Sequence, residues 1–407
     1  MSANRNLFVV AALSGAISIA AFPALAKDTD ALSKESIQAA LDSAYAQFKD
    51  LKEGKNADYI PALAKVDPNI YGVALVTTDG RVYTKGDVAS EVSIQSISKV
   101  FTMAKVIEEQ GPEAIANNMG VDATGQVFNS IYAVEQNKGS EMNAMVNPGA
   151  ITATGMVSGS SREEIWNKIL SYYGDFAGRA LSVNQEVFKS EADTNQRNQA
   201  IGRLMYAYGH IKDNPDQATD IYTEQCSVSV NAKDLATMAA TLANGGTNPV
   251  TGKAVLRSEY VPEVLAVMAT AGLYDDSGKW LYKTGLPAKS GVGGGIIAVA
   301  PGKFGIAVIA PPLDAAGNSV KAQKTIEAVF SVEDRMRTIT TTMAQQNAEP
   351  SAARAAMLTK PAAVGFSITR TPVRPTRIAA HTCRSACSPS RSAAQGTTRS
   401  GAESVIA

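Results

Sequence analysis

An α+β fold is predicted: one antiparallel sheet built from both ends of the chain, with flanking helices and a helical subdomain between. Three observations predict it. Two strand-like runs surround Asp79-Gly80 in "YGVALVTTDGRVYT", a two-residue hairpin signal. Two more surround Pro301-Gly302, in "GLPAKSGVGGGIIAVA" and "GKFGIAVIA". Between these pairs, from about residue 112 to about 270, the pattern is mostly helical.

The elements follow in order. Arg5, the apolar run "LFVVAALSGAISIAAF" and the small-residue stretch "ALA" before polar "KDTD" read as an export signal over residues 1–26, cleaved after Ala26. An exported protein, periplasmic or secreted, with no membrane span after cleavage is the expectation. The folded domain then runs over residues 27–335. In "SKESIQAALDSAYAQFKDLK", Ile37, Leu41, Ala44, Tyr45 and Phe48 have helical spacing, with Ser33 as cap. After the first hairpin, "EVSIQSISKV" feeds a helix through Val100, Met103, Ala104 and Ile107 that ends at Gly111-Pro112. "NAKDLATMAATLANGG" is the clearest helix, capped by Asn231 and stopped by Gly245-Gly246. A last helix spans about Ser319 to Phe330, with Val320, Ile326, Val329 and Phe330 apolar.

From about residue 336 the periodicity disappears. Residues 351–407 hold eight Lys or Arg against one acidic residue, Glu403. Residues 336–407 therefore read as a disordered basic tail. Binding to an anionic surface, or translation of a shifted frame, would give the same composition.

Composition narrows the chemistry. A formal net charge of zero over 407 residues gives no reason to expect a nucleic-acid partner. Only two histidines, His210 and His381, argue against a histidine triad or a histidine-rich metal site. Three cysteines, Cys226, Cys383 and Cys387, form no disulfide framework. Cys226, in "QCSVSV", reads as a small buried apolar residue.

Two motifs carry chemistry. Ser96 and Lys99 are three apart at a helix start, so they share a face. A serine hydroxyl needs a neighbour to take its proton, and a lysine serves once burial lowers its pKa. The same residues also read as an ordinary polar helix start. Lys289-Ser290-Gly291, followed by Val292 and three glycines, brings a cation, a hydroxyl and close backbone approach to a strand. An exposed N–H there donates to a developing oxyanion. S-x-x-K followed by K-[ST]-G, in this element order, is the arrangement of penicillin-binding and β-lactamase-like acyl-serine enzymes.

Longer stretches are more specific. "ADYIPALA", "IQSISKVF", "VNPGAI", "SEADTNQRNQAI", "DIYTEQCSVSVNAKDLATMAATLANGGTNP", "AGLYDDSGKW", "AKSGVGGGI" and "PPLDAAGNSV" occur in order over about residues 34–332. Together they resemble the serine-dependent glutaminase family. The resemblance implies a β-lactamase-like fold and hydrolysis of L-glutamine to L-glutamate and ammonia, with no cofactor and no metal. It implies Ser96 as nucleophile, Lys99 as proton acceptor, and Tyr222 as a tyrosine near the nucleophile that shares proton transfer. Tyr59, Asn147, Glu191, Asn198 and Tyr274 match substrate contacts. Val292 matches the residue whose N–H joins that of Ser96 in an oxyanion hole, and Lys289 matches the strand lysine of the fold. A homo-oligomer, tetramer or dimer, is implied too.

One departure stands out. Pro148 replaces a small residue usual in the family, and proline restricts the residue before it, Asn147, to extended conformations. Two alternative functions remain open: a β-lactamase or penicillin-binding enzyme, and a non-catalytic glutamine-binding protein. "SREEIWN" even carries a Glu163-x-x-x-Asn167 pattern resembling a deacylating loop, without an S-D-N or Y-x-N element to accompany it.

Overall fold

The computed structural model describes residues 33–330. The expected export signal and basic tail lie outside the described residues. Five strands form one antiparallel sheet and two short strands a second. In chain order they are β1 (Gly72–Thr77), β2 (Val82–Gly86), β3 (Val92–Ser93), β4 (Ser229–Val230), β5 (Ala288–Gly291), β6 (Gly295–Ala300) and β7 (Phe304–Ile309). The large sheet has the order β2-β1-β7-β6-β5, so its centre is where the two chain ends meet. Gly72 pairs with Ile309 and Thr77 with Phe304 across that junction.

Both hairpins occur where Asp79-Gly80 and Pro301-Gly302 predict them. The first arm of the second hairpin differs from the expectation. "GLPAKSGVGGGIIAVA" is two strands, β5 and β6, folded back on each other at Val292, Gly293 and Gly294. Gly294, at φ 98°, makes that turn possible. The run of apolar residues hides the break, because a strand buried on both faces shows no alternation.

The sheet separates two cores. Helices Lys34–Phe48, capped by the Ser33 side chain, and Val320–Val329, capped by Ser319, cover one face. Their Leu41 and Ile326 pack with Val73, Leu75, Ile296, Ile306 and Val308. On the other face lies the helix Ala232–Ala243, closed at its start by a reciprocal Asn231–Asp234 capping box. A Cβ on Gly305 of β7 would stand 2.1 Å from the Ala240 nitrogen, so glycine lets this helix lie directly on the sheet.

The helical middle, from Glu113 to Cys226, extends this second core. Its last helix, Pro215–Cys226, leads into β4, which pairs with β3 just before the Ser96 turn. Ile94 N–H also donates to the Val228 carbonyl at 2.8 Å. The sheet and the helical subdomain are thus joined at the residues that enter the candidate site. No helix among the described residues is long and apolar enough to cross a membrane.

Candidate active site

Ser96 lies in a 3-10 turn, Gln95–Ile97, that runs directly into the helix Ser98–Gln110. Gln95, before it, holds φ at 49°, a left-handed conformation that is costly for a residue with a side chain. Its amide explains the choice. Gln95 Nε2 donates to Ser93 Oγ and to Glu191 Oε2, each at 3.2 Å. The two serines of the motif then part. Ser98 is fully buried, with its carbonyl accepting from Tyr173 and its Oγ beside the Cys226 thiol, so it is a core residue. Ser96 faces the site, with the Tyr274 side chain beside it and the Tyr274 hydroxyl donating to the Ser290 carbonyl at 3.3 Å.

Lys99 is buried on the first turn of the helix. Nζ donates to Asn147 Oδ1 at 2.6 Å, and the Tyr222 and Phe128 rings lie 5.7 and 6.0 Å from it. Burial lowers its pKa to about 8, against the opposing pull of Cys226 and Glu191. A lysine whose direct partner is a neutral amide loses its proton far more readily than one held by a carboxylate.

Asn147 is the hub. Its Oδ1 also accepts from the Tyr222 hydroxyl at 3.1 Å, its Nδ2 donates to Asn198 Oδ1 at 2.9 Å, and its N–H donates to the Phe128 carbonyl at 2.8 Å. The expectation that Pro148 would force Asn147 to be extended is not met. Asn147 is the first residue of the helix Asn147–Met156, and the extended residue is Val146, at φ −108° and ψ 161°. Pro148 therefore occupies the first turn, where its missing N–H has no helical partner to lose. Four hydrogen bonds hold Asn147 against the local preference.

Glu191, at the end of the helix Gln185–Ala192, is buried with Gln95 as its donor. Burial raises its pKa to about 7, although the Gln95 bond and the Lys99 charge pull the other way. Tyr59 is 55% exposed and lies within electrostatic range of Glu191 and Tyr274, which sets it at the mouth of the site.

The β5–β6 turn completes the arrangement. A Cβ on Gly291 would lie 2.7 Å from the Ile94 carbonyl, and one on Gly293 2.3 Å from the Ser93 carbonyl. The glycines let the turn that carries Val292 press against the backbone entering Ser96. The Val292 N–H donates to no backbone carbonyl among the described residues. Ser290 contributes differently from the sequence expectation. Its carbonyl accepts from Tyr274 and Lys289, while its buried Oγ has no partner among the described residues. Lys289 donates to the Gly272 and Ser290 carbonyls behind Tyr274.

The residues matched to the glutaminase family therefore lie in or against one site. Tyr274, expected as a substrate contact, lies beside Ser96 with its hydroxyl donating to the Ser290 carbonyl. Tyr222, expected near the serine, donates to Asn147 Oδ1, and burial lifts the pKa of the neighbouring Cys226 thiol to about 12. Gln95 and Phe128 were missed. Phe128 packs on Tyr274 at 4.9 Å and walls in Lys99, and nothing in its local sequence signals this long-range role. Glu163 and Asn167 line a surface groove with Lys105, Lys168 and Asp175, and none of the site residues lines it.

Comparison with known proteins identifies the family. The glutaminase family model matches residues 54–334. The chain is 53% identical to a glutaminase of Colwellia psychrerythraea over 293 residues, covering 72% of this chain and 94% of that one. It is 46% identical to glutaminase 1 of Escherichia coli O157:H7, covering 73% of this chain and 96% of that one. The solved structure of the probable glutaminase ybaS superposes with a TM-score of 0.72 at 46% identity, over 73% of this chain and 96% of that one. Mglu in its tris and glutamate form superposes with a TM-score of 0.69 at 35% identity, over 74% of this chain and 67% of that one. The α+β fold is β-lactamase-like, and the chain belongs to the glutaminase family.

Proposed function

We propose that this protein hydrolyses L-glutamine to L-glutamate and ammonia through a γ-glutamyl ester on Ser96. The observation that carries the reading is Lys99. It is buried one turn after Ser96, bonded to a neutral amide, with its pKa lowered to about 8. Neutral Lys99 takes the Ser96 proton as Oγ attacks the side-chain carboxamide carbon, then gives it to the departing nitrogen, which leaves as ammonia. The N–H groups of Ser96 and Val292 stabilise the tetrahedral oxyanion. Water then attacks the ester with Lys99 as base, releasing glutamate and restoring Ser96.

Recognition follows from the remaining groups. Ionised Glu191 pairs with the substrate α-ammonium. Asn198, Asn147 Nδ2 and the Tyr59 hydroxyl are the donors available to the α-carboxylate. Tyr222 acts on the base through Asn147, and Tyr274 orients Ser96. A β-lactamase reading draws no support from Glu163 and Asn167, which lie on another surface. Purified mature protein tested with L-glutamine, D-glutamine, L-asparagine and a chromogenic cephalosporin distinguishes these readings. Equimolar ammonia and glutamate from L-glutamine is expected, and cephalosporin hydrolysis alone would overturn it.

We also propose export to the periplasm or medium, on the strength of Arg5, the apolar run and the small-residue site ending at Ala26. A mature N-terminus at Lys27 tests it. Assembly as a homo-oligomer rests on the family resemblance, and light scattering on the purified protein tests it.

A further inference from the structure

Lys289 is fully buried yet does not reach for the serine. Its Nζ donates to the Gly272 carbonyl and to the Ser290 carbonyl, both at 2.8 Å. The ring of Tyr274 covers it at 4.2 Å. Two carbonyls and the face of the ring thus enclose the Lys289 head.

The two carbonyls belong to opposite sides of one closed circuit. Gly272 starts the segment that leads to Tyr274, and its carbonyl also accepts from the Ser290 N–H at 3.2 Å. The Ser290 carbonyl also accepts from the Tyr274 hydroxyl at 3.3 Å. Tyr274 itself stands at φ 54°, a conformation that persists only where surroundings over-determine it. Ser277 supplies part of that hold, accepting from Leu273 N–H and donating to the Tyr274 carbonyl. Lys289 supplies the rest, fastening both β5 and the backbone before Tyr274, and backing the ring.

We infer that Lys289 is a positioning residue that acts through Tyr274: by tying the Gly272 and Ser290 carbonyls together beneath the ring, it fixes the Tyr274 hydroxyl, bonded to the Ser290 carbonyl, in its place beside Ser96. Lys289 neither carries the proton nor touches substrate. Without it the ring loses its support, two buried carbonyls each lose a donor, and the Tyr274 hydroxyl shifts from its place beside Ser96. The inference rests on the acyl-serine reading above.

A double-mutant cycle tests it, because residues that act through one another give non-additive effects. The variants are Lys289→Met, Tyr274→Phe and both together, each first checked for a cooperative thermal transition. If Lys289→Met does not melt cooperatively, Lys289→Gln replaces it. Each single change is expected to lower kcat about a hundredfold with KM within about threefold of wild type. Adding the Lys289 change to Tyr274→Phe is expected to cost less than about a further threefold. Additive losses, a loss carried wholly by KM, or unchanged kcat in the Lys289 variant would overturn the inference. Ser96→Ala is measured in the same series. An active Ser96→Ala would sink the acyl-serine reading, whereas an inactive one with an additive cycle sinks only the role of Lys289.

Discussion

Lys99 and Glu191 are shifted toward each other by the same cause. Burial disfavours charge, so the lysine falls to about 8 and the carboxylic acid rises to about 7. Both must lose a proton to work: Lys99 to act as base, Glu191 to hold an ammonium. The predicted kcat/KM therefore rises with pH, most steeply below 7 where both protons are present, and levels off above about 8. A profile that is flat or falls over this range would contradict the assignment. Glu191→Gln removes the lower of the two steps. It is expected to raise KM roughly ten- to hundredfold, since a charge-assisted bond is worth about 1.5–3 kcal/mol, with kcat little changed. Steady-state kinetics over the same pH range measures both. Ser96, Lys99, Glu191 and Asn198 were legible at this scale because the motif and the longer matching stretches name them. Gln95 at φ 49° and Tyr274 at φ 54° were not legible as strained residues. Their conformations are imposed by partners distant in sequence, Glu191 for one and Lys289 for the other.

Elements place these side chains, and two substitutions test how. Pro148 sits in the first turn of its helix, so Pro148→Ala is expected to leave KM within about twofold and stability within about 1 kcal/mol. A large rise in KM would mean that the proline, and not the network around Asn147, sets the asparagine. Gly293→Ala probes the opposite case. Its Cβ would meet the Ser93 carbonyl, so the turn must lift from the serine segment and carry the Val292 N–H with it. A fall in kcat of about a hundredfold is expected, in line with loss of one oxyanion donor. Normal kcat in a folded Gly293→Ala protein would remove Val292 from the mechanism. Helix limits were readable at this scale from Ser33, Asn231, Gly111 and Ser319, because capping is local chemistry. The β5–β6 break was not, since glycines inside an apolar run do not say which of them turns. Pro148 misled for a related reason: the local rule is a preference, and four hydrogen bonds outweigh it.

At the scale of the whole molecule, the β1–β7 pairing explains why both chain ends are needed for one site. The first end brings the Ser96 segment off the sheet, the second brings Val292, and the helical middle brings Asn147, Glu191 and Asn198. The α+β class was legible from the position of two hairpins, and the existence of the site from two motifs in the right order. Their convergence depends on strand order, which no local pattern encodes. The family match ends at residue 334, beyond every residue of the site. Deleting residues 340–407 is accordingly predicted to leave kcat/KM and the melting temperature unchanged, and loss of either would give the tail a structural role. The central claim is the ester on Ser96, and rapid-quench mass spectrometry of the intact enzyme with L-glutamine tests it most directly. The predicted result is one γ-glutamyl adduct per chain, mapped to the peptide containing Ser96 and missing from a folded, inactive Ser96→Ala protein. Undiminished turnover by Ser96→Ala, or an adduct on another residue, would contradict it.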